Sequence, residues 1–99
     1  MAKYRLSKKA VEDLANIWEY TYQTWSEKQA DKYYRFLIDN CKDLAKNPSM
    51  GKIYGQIDHS LLGYKTQRHI IFYKIVSNEG IDVLRILHAR MDLKPRLEK

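Results

Sequence analysis

RHIIFYKIVSNEGIDVLRILH, residues 68–88, decides how this chain folds. Its apolar residues do not recur every three or four positions, as a helix requires. They run in short blocks rich in Ile, Val, Phe and Tyr, which suit a pleated surface. Arg68 to Val76 reads as one strand and Ile81 to Leu87 as the next, joined tightly by Ser77-Asn78-Glu79-Gly80. Period two puts Ile81, Val83, Arg85 and Leu87 on one face of the later strand, and Asp82, Leu84, Ile86, His88 and Arg90 on the other. Apolar residues on both faces mark a central strand, and Leu61 to Gln67 is a further strand before the pair.

Upstream the period is helical. Ser7 is an N-cap candidate. After it Leu14, Ile17, Trp18, Thr21, Tyr22 and Trp25 fall on one stripe, extended toward its start by Ala10 and Val11. Ser26-Glu27-Lys28-Gln29 has the form of a capping box that opens a second helix. Ala30, Tyr33, Tyr34, Leu37, Ile38, Cys41, Leu44 and Ala45 make its stripe, and Asn47-Pro48 ends it, because the residue before proline is pushed out of the helical region. So short a connection predicts an antiparallel helical hairpin over about 8–46. Lys3 to Leu6 is a short first strand, and Ser49 to Ser60 is a loop punctuated by Gly51 and Gly55. The expected fold is α+β: an N-terminal strand, the hairpin, then a three-stranded antiparallel sheet over about 61–90 and a short basic tail, 93–99.

The 99 residues suit a single domain of 1–99. A hydrophobic fraction of 44% with 30% charged residues is globular composition. No run is long enough to span a membrane, the opening MAKYRLSKKA lacks the apolar core of a secretory signal, and Cys41 is the single cysteine. Together these point to a reducing cytoplasm. The net charge is +6. Residues 1–45 hold eight Lys/Arg against seven Asp/Glu, and residues 46–99 ten against five. The basic half suits nucleic acid, an acidic protein segment or a DNA-bound enzyme, and equally an ordinary solvated surface.

The glycines are scattered singly, so no phosphate-cradling loop is present, and Cys41, His59, His69 and His88 lack metal-ligand spacing. No cofactor is expected. The chemistry-bearing group is Lys65, Arg68, His69, Arg85, His88 and Arg90, on or beside the late strands. Such a set can cleave RNA without metal: His88 as base or acid, with Arg68, Arg85 and Arg90 stabilising phosphorane charge. The structural alternative is that Arg85 pairs with a carboxylate and His88 closes a strand end by hydrogen bonding. Trp18 and Trp25 read as core or hairpin-interface residues, and Cys41 as a small buried apolar group.

Five pieces in order, YRLSKKAVEDLANIWEYT, WSEKQADKYY, LAKNPSMGK, GYKTQRHIIFYKI and GIDVLRILHARMD, carry a resemblance from Tyr4 to about Asp92. The chain resembles the ParE family of bacterial toxins, within the wider RelE/ParE superfamily. The resemblance implies a helical hairpin against a curved antiparallel sheet. It also implies a type II toxin–antitoxin system, with DNA gyrase as target and inhibition by binding, without catalysis. A ParD-like antitoxin would neutralise the toxin by folding a flexible segment onto it, and operator DNA would be reached only through that antitoxin. Trp18, Tyr22, Tyr33 and Leu37 are the expected antitoxin contacts, in a groove between the helices. Arg85, His88, Arg90, Lys94 and Arg96 are the expected basic edge toward the target.

Other superfamily members are ribosome-dependent mRNA endonucleases, with several Lys/Arg and a late Tyr or His. Here the tail LKPRLEK has neither Tyr nor His, and the loop KIYGQIDHS is poor in Lys and Arg. Both departures count against a nuclease. A third reading is a non-toxic co-repressor that binds its antitoxin and tunes operator affinity.

Overall fold

The computed structural model describes residues 3–54, 60–77 and 80–89. Strand β1 (Lys3–Leu6) leads into helices α1 (Lys8–Thr24) and α2 (Glu27–Lys46). A single 3₁₀ turn, Pro48–Met50, precedes β2 (Lys52–Ile53), β3 (Leu62–Thr66), β4 (His69–Ser77) and β5 (Gly80–His88). The helices start where their caps require. Ser7 Oγ accepts from the Ala10 amide at 3.0 Å, and Ser26 Oγ from the Gln29 amide at 3.1 Å. Asn47 closes α2, and Pro48 opens the 3₁₀ turn.

The sheet is wider than a three-stranded antiparallel one. Its order is β1-β5-β4-β3-β2, five strands in all. β1 adds to β5 in parallel, pairing Tyr4 with Ile81 and Leu6 with Val83, so the sheet is mixed. β2 adds antiparallel to β3 within the stretch expected to be loop. Tertiary contact creates it. The Tyr73 hydroxyl donates to the Pro48 carbonyl and accepts from the Gly51 amide at 2.9 Å, drawing the chain alongside β3. A Cβ on Gly51 would lie 2.3 Å from that hydroxyl oxygen, and one on Gly63 would lie 2.3 Å from the Tyr54 ring. Both glycines are there because a ring occupies the space of a side chain.

Strand boundaries also differ. β3 and β4 break at Gln67-Arg68, and Gln67 sits at φ 49, a left-handed conformation unusual for a side chain other than glycine. β5 is an interior strand, as its composition implies, between β1 and β4. Strict alternation fails along it. Phe72 opposes Arg85 while Tyr73 opposes Val83, so Leu84 is an extra residue, a β-bulge. The bulge reverses parity. Ile81, Val83 and Ile86 join the core under the helices with Leu14, Leu37, Cys41 and Leu44. Leu87 lies in the opposite cluster with Leu61, Ile70 and Phe72, against which Leu84 packs.

The helix stripes are only partly covered. Ala10 and Leu14 are buried, but Val11, Tyr22 and Tyr34 are exposed. Trp25, expected in the core or the hairpin interface, is 62% exposed, and Tyr20 is 67% exposed. At this end the α1 stripe stands over an open groove and stays largely uncovered. Cys41 is fully buried, and burial pushes its thiol up to about 12. No helix among the described residues is long and apolar enough to cross a membrane.

Candidate binding groove and basic cluster

The uncovered end of α1 forms one wall of a groove of about 790 Å³, with Ile17, Tyr20, Thr21 and Trp25 on that side. The opposite side is the β3–β4 turn and the end of β5: Gln67, Arg68, His69 and His88. Tyr33 and Gln29, from α2, and Asn16, from α1, complete the lining. The groove is therefore aromatic and apolar along the helices and basic along the sheet.

The sheet side has a defined hydrogen-bonded structure. His69 and His88 are cross-strand partners, with ring centroids 5.3 Å apart and planes at 75°. Tyr33 reaches from α2 to place its hydroxyl 2.7 Å from His69 Nδ1. Burial drives the His69 imidazole down to about 4, helped by the charges of His88 and Arg68 and opposed by Asp13. Burial also raises the Tyr33 phenol, partly offset by a hydrogen bond from the Arg68 backbone amide. At neutral pH the pair is an uncharged phenol and an uncharged imidazole. An imidazole of this basicity is a weak proton acceptor and carries no charge for phosphate. The arrangement offers a ligand shape and hydrogen-bonding groups.

The expected site residues separate. Arg85 is held by Asp13 of α1, with Nε to Oδ2 at 2.8 Å and Nη2 to Oδ1 at 3.0 Å. Hydrogen bonding to Asp13 raises the Arg85 guanidinium further. This is the carboxylate pairing that the structural reading anticipated, and it holds Arg85 inside the fold. Arg68 is exposed on the turn and has no ion pair among the described residues. His88 lies in the groove beside His69. Arg90, Lys94 and Arg96 lie outside the described residues.

Trp18, Tyr22, Tyr33 and Leu37 do not form one patch. Leu37 is 0% exposed and belongs to the core. Trp18 donates from Nε1 to Asp31 at 2.9 Å and stacks on Tyr22 at 5.3 Å, a clasp that joins α1 to α2. Only Tyr33 of the four lines the groove. His69, a member of the chemistry-bearing group, lines the groove, and Gln67, Tyr20 and Trp25 belong to it and were absent from the expected sites. The available signal was Trp25, the last member of an apolar stripe that ends beside a capping box. Among the described residues no group of three His, Cys, Asp or Glu side chains is placed to hold a metal ion.

A helical hairpin on one face of a small mixed sheet is a fold already seen in solved structures. Two solved structures share it. "Chromosomal ParDE TA system from P. aeruginosa" superposes with a TM-score of 0.74 at 17% identity, covering 89% of this chain and 96% of that one. The toxin–antitoxin complex RelBE2 from Mycobacterium tuberculosis gives 0.69 at 16% identity, covering 88% and 96%. At those identities the likeness is one of fold.

Sequence carries the assignment further. The family model described as "ParE toxin of type II toxin-antitoxin system, parDE" matches residues 4–93. The chain is 34% identical over 96 residues to Toxin ParE1 of Mycobacterium tuberculosis, covering 97% of this chain and 98% of that protein. It is 35% identical over 101 residues to Toxin ParE1 of Caulobacter vibrioides, covering 98% and 99%. It is 31% identical over 97 residues to Toxin ParE of Escherichia coli, covering 98% and 94%. The chain belongs to the ParE toxin family of type II toxin–antitoxin systems.

Proposed function

We propose that this chain inhibits DNA gyrase by binding it, breaks no bond itself, and is neutralised by a ParD-like antitoxin through which alone it reaches operator DNA. Family membership supports the toxin and antitoxin parts of this reading. The observation that carries the non-catalytic part is the state of the basic cluster. Arg85 is held by Asp13, and His69 is uncharged against Tyr33. Metal-independent RNA cleavage needs cations aimed at phosphate and a proton donor and acceptor near neutrality. Of the described residues expected to serve it, Arg68 and His88 remain at the groove, and Arg85 faces a carboxylate.

Purified protein is added to a gyrase supercoiling and cleavage assay, and in parallel to a translating ribosome assay. The expected result is trapped, cleaved plasmid and uncut mRNA. His88→Ala should then lower toxicity only as far as it lowers the melting temperature. Codon-phased mRNA cuts that vanish in His88→Ala would overturn the reading in favour of a nuclease. Silence in both assays with tight antitoxin binding would leave the co-repressor.

A further inference from the structure

We infer that His69 and His88 form a two-histidine chelate for a divalent transition-metal ion of the zinc, nickel or copper kind, with Tyr33 as the outer partner that orients His69. The site is separate from the gyrase and antitoxin reading and does not depend on it.

The backbone brings the two rings together. The Ala89 amide donates to the Arg68 carbonyl at 2.9 Å, so residues 68 and 89 form a hydrogen-bonded pair, and His69 and His88 form the next, non-hydrogen-bonded one. In antiparallel strands side chains stand closest at that kind of pair. The ring centroids are 5.3 Å apart. Two imidazoles on one tetrahedral zinc, each bonded at about 2.0–2.1 Å, have their centres roughly 5 Å apart. The strands therefore already hold the rings at chelating distance.

The nitrogens are disposed for ligation as well. The Tyr33 hydroxyl lies 2.7 Å from His69 Nδ1, which leaves Nε2 for an ion. A metal on Nε2 puts the ring proton on Nδ1, where the Tyr33 oxygen accepts it. Ligating histidines are usually held through their other nitrogen in this way. The ring planes cross at 75°, with the edge of one ring against the other. Histidine χ2 is a broad torsion, so His88 turns its own edge to the ion without backbone movement. It ligates through one nitrogen and keeps the other for hydrogen bonding.

The surroundings set the kind of ion and the strength of the site. Imidazole suits zinc, nickel and copper, whereas magnesium and calcium take oxygen ligands. It ligates in its neutral form, the form His69 has at neutral pH. Both histidines are half-buried in the groove wall, so water completes the coordination. Arg68 and the net charge of +6 oppose a cation here, while Asp13 favours one. Two protein ligands in that field make a site for exchangeable metal, weaker than a closed four-ligand structural centre.

The test uses the full chain without a histidine tag, titrated with zinc chloride by calorimetry and with copper sulfate for electron paramagnetic resonance. The variants are His69→Gln, His88→Gln, Tyr33→Phe and His59→Ala, the last removing the third histidine. Melting curves without metal establish that each is folded. Wild type should bind a single equivalent of zinc, and its melting temperature should rise by roughly 5–10 °C at about ten times Kd. Either glutamine variant should weaken zinc binding by roughly 100-fold, and Tyr33→Phe by about 10-fold, as for an outer partner. His59→Ala should bind as wild type does. The copper spectrum should show two imidazole nitrogens in wild type and in Tyr33→Phe, and one in either glutamine variant. Absence of saturable zinc binding overturns the inference and leaves the rings as a packing contact. So does binding that survives in both glutamine variants, or that is lost in His59→Ala, since either puts the metal elsewhere. Should a glutamine variant fail to fold, NMR of the wild type decides. Zinc should then shift the ring signals of both His69 and His88, and shifts that spare either ring overturn the chelate.

Discussion

Asp13 and Arg85 lie 72 residues apart in the chain and meet where β1 ends. β1 pairs with β5 only as far as Leu6 opposite Val83. Just beyond, Asp13 Oδ2 accepts from the Ile86 backbone amide at 3.0 Å while the carboxylate also takes the Arg85 guanidinium. The carboxylate thus replaces the strand that β1 no longer supplies. Ser7 does the same at the bulge, donating its hydroxyl to the Leu84 carbonyl at 2.7 Å while capping α1. The first turns of α1 are fastened to β5 by these two side chains.

Removing that fastening should cost stability well beyond an ordinary surface change. The Arg85 and Asp13 side chains are 20% and 11% exposed, so Asp13→Ala leaves a nearly buried cation and an unmet amide. The expected loss is about 2–4 kcal/mol, somewhat below that for a fully buried pair. Asp13→Asn retains an acceptor and should lose roughly half as much. Urea unfolding measures both; a change under about 1 kcal/mol in Asp13→Ala would refute this role for the pair.

His69 predicts the acid limb of the stability curve. Its folded-state value of about 4 lies below the ordinary 6.5, so the unfolded chain takes up a proton first as pH falls. The stabilising contribution is therefore complete above about pH 6.5 and is lost progressively down to about pH 4. Its full size corresponds to roughly 3 kcal/mol. His69→Phe should flatten the slope between pH 6.5 and 4 relative to wild type. An NMR titration placing the His69 midpoint near 6.5 would remove the basis for the prediction.

The Tyr73 hydroxyl should tie the end of α2 to the sheet. Tyr73→Phe abolishes bonds to the Pro48 carbonyl and the Gly51 amide, at a cost of about 1–3 kcal/mol. Gly51→Ala should also destabilise, because the new methyl meets the hydroxyl at 2.3 Å. The double variant should lose less than the sum of the two, since Phe removes the nearest atom the methyl strikes and leaves only the two ring carbons at 2.9 Å. Strict additivity in a thermal-denaturation cycle would argue against the contact.

Cys41 should be inert in the folded protein. Burial holds its thiol near 12, so little thiolate exists at pH 8. Labelling by a disulfide reagent should track global unfolding and accelerate with urea in step with loss of helicity. Rapid labelling in native buffer would mean that α2 opens locally.

Much of this molecule follows from local pattern. Ser7, Ser26 and Asn47-Pro48 delimit the helices because a side-chain cap and a proline act within one turn of their own position. The blocks before and after 78–79 announce strands because β-branched and aromatic residues declare themselves without a partner. The groove was not legible, for it joins Tyr33 to His69 across 36 residues, and no feature near either residue specifies the other.

Chain order and side-chain chemistry alone determined a two-helix hairpin and a run of late strands, and the resemblance of the sequence pieces in order pointed to the family. Packing decided the rest. It added β1 and β2 to the sheet, because strand pairing needs a neighbour that sequence does not identify. It reversed the faces of β5 through one bulged residue, because a single insertion changes parity for every residue beyond it. It also sent Arg85 to Asp13 and left Arg68 at the groove, because a cation's role depends on which carboxylate the fold brings within about 3 Å.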